Sequence, residues 1–395
     1  MPLTPEQTHD PDGRPRARAL GIPLPGAPGP WNAITDVPGV EVGSVTLVEG
    51  DGPLVVGEGP VRTGVTAIVP HEGEIAVEPL FAGCHTLNGC GDFTGLEWIR
   101  ESGLLTSPIA LTNTYSLGVV RDALVRREVD ARAALGEDKT GCYFSFPAVA
   151  ETWDGGLNDI AGQHVRAEHL VAALAAAAGG PVPEGGVGGG TGMTCHDFKG
   201  GTGTASRVVE IDGERFVLGA LVQANHSWRD VFVVNGAPVG LEIGPDVVPG
   251  VDLPECASAA GSGSIVAILA TDAPLLPHQL QAVAQRAGLG VAMLGGYGDR
   301  YSGDLFLAFS TANRGMVSQH EGSAAPLVNA AEWIGHPYLD GFFQAAAEAT
   351  AEAILNALLQ AETMSGRDGV TAHALDGELL VRVLDRYGRR TFRPR

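Results

Sequence analysis

Ser264 is the residue best placed to act as a nucleophile. It ends the small-residue run Ala259-Ala260-Gly261-Ser262-Gly263 and opens Ile265-Val266-Ala267-Ile268-Leu269-Ala270, an unbroken apolar run that reads as a buried strand. A hydroxyl held where a loop enters the core can attack the carbonyl of the residue before it, and Gly263 has no Cβ to obstruct that attack. Breaking the Gly263–Ser264 bond would make Ser264 a new N-terminus, with its nucleophile and a free α-amine on one residue. Such an amine has a pKa of about 7.7–8.0, so part of it is neutral at physiological pH and able to take a proton.

Other polar residues sit where they could complete such a site. Asn225 closes the apolar run Val222-Gln223-Ala224, and its amide either terminates a strand or donates to an oxyanion. Glu151, in Ala150-Glu151-Thr152-Trp153-Asp154-Gly155, is either a solvated turn acid or an anionic anchor for a substrate amine, with Trp153 beside it as an apolar or cation–π wall. Tyr301-Ser302-Gly303-Asp304 repeats the turn-into-strand pattern of Ser264. Ser302 and Asp304, two apart, point to the same face of a strand.

The elements that must hold these residues are short and glycine-rich. A mobile arm is expected to about residue 30. Strands are expected over 40–48, 64–69, 75–80 and 109–113, and helices over 116–129 and 164–178. Strands at 205–211 and 215–225 lead to the Ser264 strand, then a helix at 277–288, strands at 290–294 and 304–310, a long helix at 337–363 and a last strand at 379–384. Runs of strands with pairs of helices, without regular alternation, argue for a layered α+β architecture in one domain. A hydrophobic content of 44% is ample for a packed core, and 56 Gly and 26 Pro spread along the chain suggest many tight turns.

Charge and composition exclude several classes. A net charge of −21 disfavours nucleic acid and anionic membrane, which require a concentrated basic surface. No signal peptide opens the chain, no apolar run is long enough to span a bilayer, and five cysteines without disulfide-like density favour reduced thiols, so a soluble cytoplasmic protein is expected. The stretch Gly185-Gly186-Val187-Gly188-Gly189-Gly190-Thr191-Gly192 contains neither dinucleotide nor phosphate-loop spacing. Cys84-His85 with Cys90, and Cys195-His196-Asp197, each lack a second ligand pair at zinc-like spacing, so buried or redox-silent thiols are expected rather than a metal centre. Cys142, among apolar neighbours, reads the same way.

Taken together, the chain resembles the self-processing DmpA-type family of L-aminopeptidase/D-esterases and β-peptidyl aminopeptidases. The likeness runs through Arg16-Ala17-Arg18, Asn32-Ala33-Ile34-Thr35-Asp36-Val37-Pro38-Gly39-Val40, Leu111-Thr112-Asn113-Thr114, Glu151-Thr152-Trp153-Asp154-Gly155 and Gly188-Gly189-Gly190-Thr191-Gly192-Met193. It continues through Phe198-Lys199-Gly200-Gly201, Gly203-Thr204-Ala205-Ser206-Arg207, Gln223-Ala224-Asn225, Gly263-Ser264-Ile265, Ala270-Thr271-Asp272-Ala273-Pro274-Leu275, Ser302-Gly303-Asp304 and Gly366-Arg367-Asp368-Gly369.

The resemblance implies a four-layer αββα fold shared with ornithine acetyltransferases and a precursor cut into an α chain, 1–263, and a β chain, 264–395. It implies Ser264 as nucleophile, Asn225 as oxyanion donor, Ser302 and Asp304 as supports for the nucleophile and its amine, and Glu151 facing the substrate's amino terminus. Some members carry glutamate at the position of Asp304 and tyrosine at that of Trp153. Relatives with threonine as nucleophile act on nylon-type oligomers, and serine favours the aminopeptidase side. The expectation is a cytoplasmic homo-oligomer, tetrameric by resemblance, that needs no cofactor and releases N-terminal residues from small peptides, amides or esters. The rival readings are an amine acyltransferase on the same fold and a binding protein that never processes.

Overall fold

The computed structural model describes residues 3–134, 136, 144–252, 263–315 and 328–390. Cys142 and Cys256 lie outside the described residues. The first half of the chain forms β1 (Glu41–Glu49), β2 (Val61–Val69), β3 (Leu80–Gly89), β4 (Leu104–Leu105), β5 (Ile109–Asn113), α1 (Leu117–Ala134), β6 (Ala148–Thr152) and α2 (Ala167–Ala175). The hairpin β7 (Thr194–Cys195) and β8 (Phe198–Lys199) then leads into β9 (Gly201–Ile211) and β10 (Glu214–Asn225). After the Ser264 junction come β11 (Ser264–Thr271), α3 (Pro277–Met293), β12 (Gly303–Ser310), α4 (Asp340–Gln360) and α5 (Gly377–Arg386).

These elements make four layers, as expected. One sheet has the order β1-β2-β5-β6 and carries α1 and α2 on its outer face; the other has the order β4-β3-β12-β11-β10-β9 and carries α3 and α4. The inner faces meet in a core that joins Ile68, Leu111 and Ala148 of the first sheet to Val266, Ile268 and Leu307 of the second. β11 and β12 are buried at every position, which is why they read as continuous rather than alternating apolar runs. They lie side by side in parallel at the centre of the larger sheet, with Ile265 opposite Asp304.

Four expectations need correction. Residues 75–78 form a turn closed by Val77 and Glu78 amides on the Glu74 carbonyl; the strand starts only at Leu80, after Pro79. Residues 290–294 continue α3 as far as Met293: Gly290 is where α3 crosses α4, since a Cβ there would stand 2.6 Å from the Ala347 carbonyl, so this glycine serves close packing and does not stop the helix. Residues 379–384 are helical, because Asp376 caps the amides of Glu378 and Leu379 and the buried Leu380, Val383 and Leu384 follow helical spacing.

The N-terminal arm, finally, is docked rather than mobile. Ala17 is fully buried, Arg16 pairs with Glu184 at 2.6 Å, and Arg18 pairs with Glu352 of α4 at 2.7 Å.

Candidate active site

The site is assembled where the central strands of the larger sheet begin. Gly263 has φ 84°, in the left-handed region, and a Cβ on it would lie 2.0 Å from the Asn225 carbonyl oxygen and 3.0 Å from the Asn225 side-chain nitrogen. Only glycine fits there. The same contact places the Asn225 amide beside the residue whose carbonyl precedes Ser264. Asn225 and Ser264 are cross-strand partners at the mouths of β10 and β11.

The Asn225 side chain is fixed at both ends. Its Oδ1 accepts from the Thr194 amide at 2.8 Å, and its Nδ2 donates to the Trp153 carbonyl at 2.9 Å. This settles the amide's orientation and leaves its second N–H hydrogen for another acceptor.

Ser264 is buried, and its Oγ accepts from the Gly303 amide at 2.9 Å. Ser302 Oγ donates to Asp304 Oδ1, so both side chains do share one face as their spacing predicts. Asp304 is buried; that burial raises its pKa to about 6, against the pull of hydrogen bonds from Ser302 and the Ile265 backbone. At neutral pH it is ionised but close to its titration range, an acid held without a cationic partner among the described residues.

Glu151 comes from the opposite sheet, on β6, with Thr112 of β5 beside it in parallel register. Its Oε1 accepts from the Asp92 amide at 2.8 Å and its Oε2 from the Thr114 hydroxyl. Burial raises its pKa; those two hydrogen bonds oppose the shift and the Asp92 charge adds to it. Gly91 joins the two halves of the site, since a Cβ there would stand 3.1 Å from Glu151 Oε1 and 3.2 Å from the Gly303 Cα. The carboxylate is therefore brought to the backbone that donates to Ser264.

Two hollows flank this centre. A cavity of about 610 Å³ opens beside Gly91 and is lined by Phe93, Trp98, Phe146 and Leu305, with Asp92 and Arg100 among its polar groups. A narrower chamber on the Gly263 side is lined by Trp153, Thr194, Asn225, Ser227 and Trp228.

All seven residues singled out from the sequence thus border one region: Ser264, Asn225 and Asp304 on the larger sheet, Gly263 and Ser302 one residue before its strands β11 and β12, Glu151 on and Trp153 just after β6. The sequence reading did not find the Gly303 amide, Gly91, or the Asp92 amide. Backbone donors carry no residue-type signal, and only the fold brings them in. Thr114 had a signal, as the last residue of Leu111-Thr112-Asn113-Thr114, but no role was assigned to it.

A buried hydroxyl beside a constrained glycine, an oriented amide and a buried acid is the equipment of an acyl-transfer hydrolase built on paired sheets. Residues 32–372 match the family described as "Peptidase family S58", and the chain belongs to that family. It is 47% identical over 381 residues to the β-peptidyl aminopeptidase BapA of Sphingosinicella microcystinivorans, covering 95% of this chain and 93% of that one. Among solved structures, a Burkholderia β-aminopeptidase is 49% identical with a TM-score of 0.85, covering 96% of this chain and 100% of that one. The L-aminopeptidase D-Ala-esterase/amidase of Ochrobactrum anthropi, described as a prototype for the serine aminopeptidases and a variant of the Ntn hydrolase fold, is 43% identical with a TM-score of 0.86, covering 96% of this chain and 100% of that one. The chain is accordingly an aminopeptidase of the N-terminal-nucleophile kind.

Proposed function

We propose that this protein cleaves its own Gly263–Ser264 bond and then uses the new N-terminal serine to remove N-terminal residues from small peptides, amides or esters. The observation that carries the reading is the packing of Gly263, a glycine no other residue could replace, on Asn225, which is itself the cross-strand partner of Ser264. In processing, Ser264 Oγ attacks the Gly263 carbonyl carbon; the C–N bond breaks and its nitrogen takes up a proton to become an α-amine, leaving an ester. Water then hydrolyses the ester to the Gly263 carboxylate and the free Ser264 hydroxyl.

In turnover the same hydroxyl attacks the substrate carbonyl, the neutral α-amine takes its proton, and the free Asn225 N–H hydrogen donates to the oxyanion. The protonated α-amine then gives that proton to the leaving amine as the substrate C–N bond breaks, and water hydrolyses the ester left on Ser264 Oγ, freeing the residue and restoring the hydroxyl. Ser302 and Asp304 support the charge that forms on the Ser264 amine. Glu151 receives the ammonium of the substrate, and the released residue's side chain occupies the aromatic-lined cavity beside Gly91. The Trp153 ring borders the chamber on the opposite side.

We further propose that the enzyme works as a cytoplasmic homo-oligomer. Among the described residues no helix is long and apolar enough to cross a membrane. Trp228, Tyr297 and Tyr301 stand exposed near the site, a surface that a second copy of the chain would cover. Light scattering on the purified protein gives the number of subunits.

The decisive experiment is intact-mass spectrometry of wild type and Ser264→Ala. Wild type is expected as two chains, the second beginning Ser264-Ile265-Val266, and Ser264→Ala as one inactive chain. A processed Ser264→Ala protein would sink the self-cleavage reading.

A further inference from the structure

The chamber on the Gly263 side has unusual neighbours. Next in the chain to its lining residues Thr194, Asp197 and Ser227 are Cys195, His196 and His226, all buried, with donor atoms within 4.8 Å of one another. Linear spacing gives no hint of this, because the third side chain arrives from the end of a different strand, β10.

The backbone goes out of its way to form the cluster. Neighbours along a strand point to opposite faces, yet Cys195 and His196 both turn inward. They do so because His196 and Asp197 link β7 to β8 in the left-handed conformation, φ 49° and 58°, where a two-residue hairpin loop would ordinarily carry Asn-Gly. The amide of His196 donates to the His226 carbonyl at 2.8 Å, tying the two segments together.

The side-chain atoms are left ready to bind something. His196 Nδ1 lies 3.2 Å from the Trp228 carbonyl and so carries the hydrogen, which leaves Nε2 as a bare lone pair. That Nε2 is buried and has no partner among the described residues. Cys195 Sγ is 3.6 Å from His226 Nδ1. Zinc-type bonds of about 2.3 Å to sulfur and 2.0 Å to nitrogen set donor separations of roughly 3.3–3.8 Å, so this pair already has the spacing of two ligands on one ion. Burial keeps both imidazoles neutral, but it also pushes the Cys195 thiol up to about 12, so the ion itself has to displace the thiol proton. The charge of Asp299 reaches His196 and favours a cation there. An imidazole whose other nitrogen donates to a backbone carbonyl is also the usual form of a metal-bound histidine.

We infer that Cys195, His196 and His226 form a binding site for a zinc-type divalent cation, one that braces the oxyanion donor Asn225. Each ligand is the chain neighbour of a residue of the chamber lining, Thr194, Asp197 or Ser227. Binding replaces the Cys195 thiol proton, which leaves to solvent. The bracing follows from chain position: Asn225 precedes His226, and the amide that fixes its Oδ1 belongs to Thr194, the residue before Cys195. The ion positions and does not touch substrate.

The probe is Co²⁺ added to chelator-treated protein, followed by zinc. One Co²⁺ per chain is expected, with a sulfur-to-cobalt charge-transfer band that zinc abolishes. The band persists when Cys195 is left as the only cysteine and disappears in Cys195→Ala, and His196→Gln weakens Co²⁺ binding at least tenfold. A band that survives Cys195→Ala, or no band in wild type, overturns the site. If those variants fail to fold, the zinc-edge X-ray absorption spectrum of the wild-type protein decides: one sulfur and two imidazoles bound to zinc support the inference, and nitrogen and oxygen alone overturn it.

Discussion

Two buried acids in this molecule, Glu352 and Asp304, are treated in opposite ways. Glu352 on α4 meets Arg18 at 2.7 Å and Arg207 at 2.8 Å, and accepts from Asn32 Nδ2 at 2.7 Å. Although burial alone would raise its pKa, the two guanidinium groups outweigh that and bring it to about 2. Asp304 on β12 has Ser302 and a backbone amide but, among the described residues, no cation, and burial pushes it up to about 6. A buried charge that is fully paired holds parts together; one left without a counter-charge can respond to a charge that appears during a reaction. The α-amine of a processed Ser264 would bring such a charge.

The strongest way to break this contrast is to remove the paired acid. Glu352→Gln takes the counter-charge from Arg18 and leaves Arg207 only its 3.3 Å pair with Glu348, and is expected to cost about 3–5 kcal/mol of stability. The sign with pH follows: an acid whose pKa is depressed in the fold contributes stability above its unfolded value near 4.5, and that contribution is lost as pH falls towards 2. The difference in stability between wild type and Glu352→Gln should therefore shrink on acidification below pH 4.5, measured by denaturant unfolding. Turnover per folded, processed molecule should stay at the wild-type level. A loss of kcat in folded Glu352→Gln would mean that the network is more than scaffolding.

Asp304→Asn should do the reverse. A roughly 10²-fold fall in kcat is expected, the size typical of acid–base assistance, with KM little changed. Stability should not fall. An acid with a raised pKa destabilises the fold when ionised, an effect absent below its ordinary value of 3.8 and complete above about 6, so the amide variant should gain on the order of 1–3 kcal/mol at neutral pH and nothing at pH 3. Single-turnover kinetics on protein confirmed by mass to be processed checks the rate, and denaturant unfolding at pH 3 and pH 7 checks the stability. A processed Asp304→Asn enzyme with wild-type kcat would reduce Asp304 to a strand-edge acid.

The contrast also explains what could be read in the sequence. Ser264, Ser302 and Asp304 were legible because each stands where a turn meets a wholly apolar strand, and buried strands of that kind announce themselves. Arg18, Asn32 and Arg207 were quoted as part of the family likeness without a role, since nothing in their spacing reveals that they converge on Glu352, which lies more than a hundred residues beyond Arg207. Buried ion pairs of long sequence separation are tertiary facts. The strand expected at 379–384 failed for a local reason: Leu379-Leu380-Val381-Arg382-Val383-Leu384 fits both periods, and the Asp376 cap that selects the helix is one residue type among several that also begin turns. The Cys195 hairpin shows the same limit, because its partner His226 is adjacent only after β10 has folded back against β7.

The contrast is sharpened least, but most specifically, at Glu151. Its carboxylate, like that of Asp304, is buried and raised in pKa, yet both its oxygens already accept hydrogen bonds, from the Asp92 amide and the Thr114 hydroxyl. Those donors fix its direction without neutralising it, so the missing counter-charge is expected to be the substrate's ammonium. A charge-assisted hydrogen bond of this kind is worth about 1.5–3 kcal/mol. Because the bond is made in the ground state and kept in the transition state, its loss should appear as a rise in KM with kcat largely preserved. Glu151→Gln keeps the side-chain shape and should raise KM for amino-free substrates at least tenfold. Acetylating the substrate's amine should abolish turnover by the wild-type enzyme, because the neutral amide no longer offers a cation to the carboxylate. Steady-state kinetics with matched free and acetylated peptides tests this, and equal rates on the two would remove Glu151 from substrate recognition and leave it, like Glu352, as part of the scaffold.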